Sequence, residues 1–399
     1  MRIALAVAAV LCGSPSPAAG PSERDAAVAS NTALAADLYG ALAKKGGNLF
    51  FSPFSISTTL AMTSAGARGE TAEEMARVLH FGKDAEAVHR AFSALQKGLA
   101  AKPNAPFQLA IANRLFAQSG KELLRPFVTL TRDRYGAPVE RLDFKTDFEP
   151  SRKHINEWVQ QQTQDRIQDL LVQGTVTPET RLVLVNAVYF KGTWAMPFVK
   201  RDTRPMPFTS NGKTFDVPMM SQEIETGYAE SDGVQVLELR YRRGPGARLA
   251  MLVLLPAKAD GLAALESGLT AQSLGAWASR LDLRMVDVSL PKFKLESAFR
   301  LADTLRALGM KTAFEPATAD FSGMDGQRGL YIGEVAHKAF VEVNEEGTEA
   351  AAATGEMLLG ALPPPPYPLF RADHPFVFAI VEVETGSVLF LGRVVDPRG

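Results

Sequence analysis

The feature that most constrains this chain is a run of very small side chains, with a glycine joint at one end and a block of prolines at the other. It reads Glu345-Glu346-Gly347-Thr348-Glu349-Ala350-Ala351-Ala352-Ala353-Thr354-Gly355, continues through Glu356 to about Leu362, and meets Pro363-Pro364-Pro365-Pro366. Four consecutive alanines favour helix. These show no amphipathic pattern, however, and they lead into prolines that a helix interior does not accept. The segment before them, residues 337–344, has the β-branched and aromatic content of a strand. Gly347 supplies a flexible joint between the two. Two readings follow. The run is a flexible surface loop, or it is a segment with two homes, exposed in one and slid between existing strands in the other, where small side chains meet little steric resistance.

At 399 residues the chain exceeds the ~100–200 of a typical domain. No stretch reads as a linker, and a hydrophobic content of 46% is ample for one large core. We therefore expect a single domain over residues 25–399, preceded by residues 1–24. Met1-Arg2 and the apolar residues 3–11 have the form of a short signal peptide, well short of the ~20 residues that a membrane-spanning helix needs. Cys12, the single cysteine, is a candidate lipid acceptor; cleavage near Ala18 or Ala19 with simple export is a second reading, and an unprocessed or mis-assigned start a third. The protein is expected to be secreted or extracellular, with residues 13–22 disordered and, on every reading, no disulfide. The net charge of −1, from 43 basic and 44 acidic residues, gives no basis for nucleic-acid or acidic-membrane partners.

Along the body, Leu34, Leu38 and Leu42 are spaced as on one helix face. Ser52-Pro53 reads as an N-cap followed by proline at the first helical position. Residues 54–65 then carry only apolar or small uncharged side chains, so this helix should be buried all round. Residues 151–164 form a polar helix anchored chiefly by Ile155, Trp158 and Val159, suited to lie over a sheet face. Residues 182–190 read as a strand buried on both faces. Residues 234–239 and 250–255 read as paired strands turned at Gly244-Pro245-Gly246. Residues 284–295 read as a strand pair or one bent strand, broken at Pro291, and 299–308 as a helix stopped by Gly309. A hairpin is expected over 376–394. Helices and strands are segregated without βαβ alternation, which argues an α+β fold.

The usual catalytic patterns are missing. Five histidines (His80, His89, His154, His337 and His374) form no His-Glu-x-x-His motif, and one cysteine cannot pair to hold a metal. There is no Gly-x-Ser-x-Gly elbow and no phosphate-cradling glycine loop. We expect no enzyme activity, cofactor or metal. Lys200, Arg201 and Arg204, with Asp202 among them, read as a solvated turn. Arg240, Arg242, Arg243 and Arg248 form a second basic group; it reads as solvated surface, with a polyanion site as the alternative.

The stretch at 345–354 resembles the reactive-loop hinge of the serpins. Three other stretches carry the same resemblance in the family's order: Asn48-Leu49-Phe50-Phe51-Ser52-Pro53-Phe54-Ser55-Ile56-Ser57, Asn186-Ala187-Val188-Tyr189-Phe190-Lys191-Gly192-Thr193-Trp194, and Phe370-Arg371-Ala372-Asp373-His374-Pro375-Phe376-Val377-Phe378. It covers residues 33–397, and the chain is identified as a member of the serpin family, with a secreted bacterial member expected. The resemblance implies three β-sheets with surrounding helices and an exposed reactive loop at about 345–369. It implies a monomer that acts on serine proteases, in some relatives on cysteine proteases, as a suicide substrate. The protease forms a covalent acyl complex at the scissile bond. The freed arm then joins the central sheet, turning a metastable five-stranded arrangement into a six-stranded one and deforming the attached protease.

Residue by residue, the resemblance assigns the hinge to Glu345, Glu346, Gly347, Thr348, Glu349, Ala350, Ala351, Ala352, Ala353 and Thr354. The scissile bond falls at Ala361-Leu362, which suggests an elastase-like target. A slipped register would use Leu359, Leu362 or Tyr367 and suggest a chymotrypsin-like one. Ser52, Ser55, Asn186 and His337 match the polar cluster called the shutter, and Trp194 matches the breach where the arm first enters; ordinary core residues are the alternative for all five. From Thr348 to Ala361 the arm would span roughly 46 Å as a strand. Strand alternation puts Thr348, Ala350, Ala352 and Thr354 on one face, easily buried, with Glu349 on the other. Glu356 shares the buried parity and is discordant. A non-inhibitory serpin, cleaved as a plain substrate or acting as a binding protein, is the alternative function.

Overall fold

The computed structural model describes residues 23–348, apart from Ala101 and Lys121, and residues 367–399. Its centre is a sheet ordered Phe293–Arg300, Ile332–Asn344, Gly347–Thr348, Leu182–Thr193, Phe107–Gln118, Glu140–Leu142. Residues 182–190 are buried without a break, as their continuous apolar run requires. One face of this strand, through Leu182, Leu184, Val188 and Phe190, joins the main core. The other, through Val183, Val185 and Ala187, packs under the helix Phe148–Gln162. Ile155 and Val159 anchor that helix, and Trp158 sits edge-on to Phe116 at 5.6 Å, as the sparse apolar pattern suggested.

The helix Pro53–Ser64 lies beneath the sheet and is buried from Pro53 to Thr63. Ser52 caps it by accepting the Ser55 N–H, with Pro53 at the first position. A second hydrogen-bonded network of nine strands runs from Leu49–Phe51 through Val388–Val394, Phe376–Glu382, Leu249–Pro256 and Val234–Arg240 to Lys213–Ser231, Asp282–Pro291 and Leu369–Arg371, with Arg204–Ser210 also on Lys213–Ser231. The second and third of the expected sheets are thus joined, because the 19-residue strand Lys213–Ser231 serves both. Phe50 stacks on Phe378 and Phe390, and Phe390 meets Phe190, so aromatic rings tie the two networks together.

One sequence boundary is corrected. Phe299 and Arg300 belong to the strand Phe293–Arg300, and the helix starts only at Ala302. Phe299 pairs with His337 across the sheet and stacks on its ring, 10° from parallel, and this packing outweighs local helix preference.

Candidate functional site

Two parallel strands, Leu182–Thr193 and Ile332–Asn344, pair directly from Leu182/Ile332 to Tyr189/Phe340. Above that point they part. Gly347–Thr348 lies in the gap as a two-residue strand, antiparallel to both neighbours: Thr348 faces Gly192 on one side and Val343 on the other. The chain turns through Glu345-Glu346 and re-enters the sheet it has just left. Only glycine suits position 347, where φ is +148° and an added Cβ would lie 2.0 Å from the Gly192 carbonyl oxygen.

The mouth of this gap is built from several elements. Thr348 is fully buried, and its hydroxyl bonds the Tyr241 hydroxyl at 2.8 Å. The Tyr241 ring stacks on Trp194 at 4.6 Å and meets Phe190 edge-on. The indole N–H of Trp194 donates to the Asn344 carbonyl at 3.0 Å, and its backbone N–H to that of Glu346. Glu345 accepts from Lys292 at 2.9 Å and from Thr203 at 2.9 Å. Burial opposes its charge, but the bonds from Lys292 and Thr203 outweigh burial and hold the carboxyl below its ordinary range. Glu346 pairs with Lys200 at 2.7 Å, which raises the lysine's pKa. Lys200 is therefore more than part of a solvated turn. In the other basic group Arg240 is held by Glu238 at 2.7 Å and Arg248 by Glu384 at 3.1 Å.

Lower down, a row of side chains crosses the sheet in register: Asn113, Asn186, His337 and Phe299. The His337 Nε2 accepts the Ser52 N–H at 3.1 Å, so its Nδ1 carries the proton and donates to the Asn186 Oδ1. The two amide protons of Asn186 are shared among three acceptors within reach, Ser55 Oγ (2.6 Å), Asn113 Oδ1 (2.9 Å) and Thr59 Oγ1 (3.1 Å). Ser52 Oγ donates to the Leu389 carbonyl at 2.7 Å. All four residues matched to the shutter therefore meet in one network, and the His337–Asn186 bond bridges the seam between the two parallel strands.

Burial pushes the His337 pKa down to about 3. Between that value and the ordinary 6.5 the unfolded chain binds a proton that the folded one refuses, so stability falls on acidification through this window. From pH 6.5 to 5 the loss from this group is roughly 1.5 kcal/mol. Urea titrations should show His337→Gln losing that much less than wild type between the two pH values. An identical loss in both would remove His337 as the cause.

Sequence reasoning missed Asn113, Thr59, Tyr241, Thr203 and Lys292. Asn113 left a trace, since it shares strand parity with Leu109, Ile111 and Leu115 and is the polar member of an apolar set. Tyr241 sits among arginines and left none. Residues 349–366, with Glu349 to Thr354, Glu356, Leu359, Ala361 and Leu362, lie outside the described residues, as do residues 1–22 with Cys12.

Comparison with known proteins agrees with this architecture. Residues 29–397 match the family model described as Serpin (serine protease inhibitor). Leukocyte elastase inhibitor A of Rattus norvegicus is 42% identical over 384 residues, covering 92% of this chain and 98% of the relative. Serpin B8 of Bos taurus is 44% identical over 354 residues, covering 88% and 93%. Among solved structures, uncleaved ovalbumin superposes with a TM-score of 0.82 at 31% identity, covering 93% of this chain and all of that one. These relatives correct the expected localisation. The leukocyte elastase inhibitors and serpin B8 are intracellular, which points against a secreted or extracellular protein. Among the described residues no helix is long and apolar enough to cross a membrane.

Proposed function

The chain belongs to the serpin family, and from that premise we propose that it traps serine proteases as a suicide substrate, by inserting its reactive loop into the central sheet. The observation that carries this reading is the Gly347–Thr348 strand, already bonded on both edges at the top of a seam that is otherwise closed. Its register is fixed from two sides. Continued downward, it would set Ala350 and Ala352 on the core face and Thr354 directly between Asn186 and His337. The threonine hydroxyl would then take up the hydrogen bonds that these two side chains lose when the strands separate. Glu349 would come opposite Lys191 on the outer face. The scissile bond is assigned to Ala361-Leu362, with an elastase-like or chymotrypsin-like protease as the covalent partner of a monomer.

The same register would bring Glu356 between Leu184 and Val335, both buried in the main core. An unpaired carboxylate there takes up a proton or resists burial. Insertion then slows at Glu356 and part of the acyl-enzyme escapes by hydrolysis. Mixing the protein with pancreatic elastase or chymotrypsin should give an SDS-resistant complex beside some clipped chain. Glu356→Ala should raise the complex-to-clipped ratio several-fold. Clipped chain alone, with every protease tried, would favour a plain substrate and sink the reading.

A further inference from the structure

The three-residue strand Leu369–Arg371 lies at one end of the nine-stranded network. Two residues separate it from the proline block at 363–366. It runs parallel to Asp282–Pro291 and pairs with it through three positions, Leu369/Asp287 to Arg371/Ser289. The Asp287 N–H donates to the Pro368 carbonyl at 3.0 Å, and the Ala372 N–H to the Ser289 carbonyl at 2.9 Å. The Phe370 ring is fully buried, edge-on to Tyr228. So short an edge strand has few ladder bonds, and segments with few contacts open at little cost. What fastens its ends therefore decides how firmly it stays.

The far end is fastened by His374, whose ring is buried. Its Nδ1 lies 2.8 Å from Oδ1 of Asp373, and its Nε2 lies 2.8 Å from the carbonyl oxygen of Pro256, the last residue of Leu249–Pro256. A carboxylate and a carbonyl can only accept. A neutral imidazole has one N–H and would turn a lone pair on one of these oxygens. Only the imidazolium, with two N–H groups, satisfies both. Among the described residues that line the hollow beside the ring, the charged ones are Glu230, Asp232, Arg371 and Asp373, three acids to one guanidinium. Glu230 accepts from the Tyr228 hydroxyl, and Asp232 from Arg280 at 3.0 Å. Burial opposes the charge on His374, but the bonds to Asp373 and Pro256 outweigh it and hold the pKa above the ordinary 6.5.

We propose that His374 is a proton-dependent clasp on this edge strand: charged, it ties the segment after Arg371 to the end of Leu249–Pro256; neutral, it releases that tie and the strand frays. Loss of one proton leaves one N–H for two oxygens. The carboxylate is the stronger acceptor, so the N–H stays on Asp373, the neighbour in sequence. The bond to Pro256 then breaks, and of the two it is the one that joins separate elements. For a pKa raised on folding, the contribution to stability is complete below pH 6.5 and is lost as the pH rises through the folded-state value. His337 acts in the opposite sense, since its contribution is lost on acidification. The two histidines thus limit the stable range from opposite sides. Because the chain from the proline block enters the sheet at Leu369, the clasp also sets how firmly the downstream end of the loop is held.

Hydrogen exchange of the full chain, corrected for the intrinsic pH dependence of exchange, tests this. Protection of the Leu369–Arg371 amides should fall on the order of tenfold between pH 6 and pH 9, as expected for losing a bond to a charged group. His374→Gln should be poorly protected at both pH values, and His374→Arg, which stays charged, well protected at both. Constant protection in wild type, or an equal fall in His374→Arg, would overturn the proposal. Nitrogen-15 spectra of the histidine rings supply a second readout that needs only the wild-type fold, with His374→Gln assigning the signal. The His374 ring should carry protons on both nitrogens at pH 6 and titrate above pH 6.5; a ring already neutral at pH 6 would equally overturn the clasp. None of these results depends on whether the chain traps proteases.

Discussion

In Thr348→Arg, the SDS-resistant complex with protease disappears and the chain is cut as an ordinary substrate. Thr348 is the first inward-facing residue of the arm, fully buried with its hydroxyl on Tyr241. A guanidinium there has no room beside the Tyr241 and Phe190 rings, and the two carboxylates of the mouth are already paired with cations, Glu345 with Lys292 and Glu346 with Lys200. Burying a charge without a partner costs several kcal/mol, enough to slow insertion by orders of magnitude, since each 1.4 kcal/mol is tenfold. Deacylation then wins the race. The cutting rate should stay near wild type, because the residues around the assigned scissile bond, Ala361-Leu362, are untouched. A complex yield equal to wild type would mean that the arm does not enter at the Gly347–Thr348 wedge.

The second large effect is on heat resistance. Nicking the loop frees residues 349–361 from their downstream tether and lets them pair along the seam. A new central strand gains ladder hydrogen bonds on both edges and buries small side chains. At roughly 1 kcal/mol net for each of about ten inserted residues, and on the order of 1–2 °C per kcal/mol for so long a chain, the melting temperature should rise by about 10–20 °C. Differential scanning calorimetry of intact and nicked protein measures this directly. An unchanged or lower transition in the nicked form would show that the folded chain holds no unreleased free energy. It would then be a serpin in shape without the conversion that drives trapping.

Much of the site was legible because its residues are unusual for their places. A glycine and a run of alanines after a β-rich segment are poor material for a fixed strand, so residues 345–354 stood out. Ser52 before Pro53 announced its cap, and the cap was found. The polar pair Asn186 and His337 lies in apolar strands, where an uncommitted amide or imidazole would be costly. Other parts could not be read locally. Lys292 lies between two strands and Lys200 in a short turn; nothing in either neighbourhood says that each ends on a glutamate of the hinge. The helix boundary at Phe299 failed for the same reason, since a contact with His337 set it.

By itself the sequence determined the α+β class, the fully buried helix under the central sheet, the strand buried on both faces, and the family. These properties follow from period, side-chain size and local capping, which are short-range. Only the tertiary structure decided that the seam is closed from Leu182/Ile332 to Tyr189/Phe340 and wedged open above by Gly347–Thr348, that Asn113 and Thr59 complete the polar row, and that Tyr241 meets Thr348. Those facts depend on the register between strands far apart in the chain. Register is set by the packing of the whole sheet, and no window of sequence contains it.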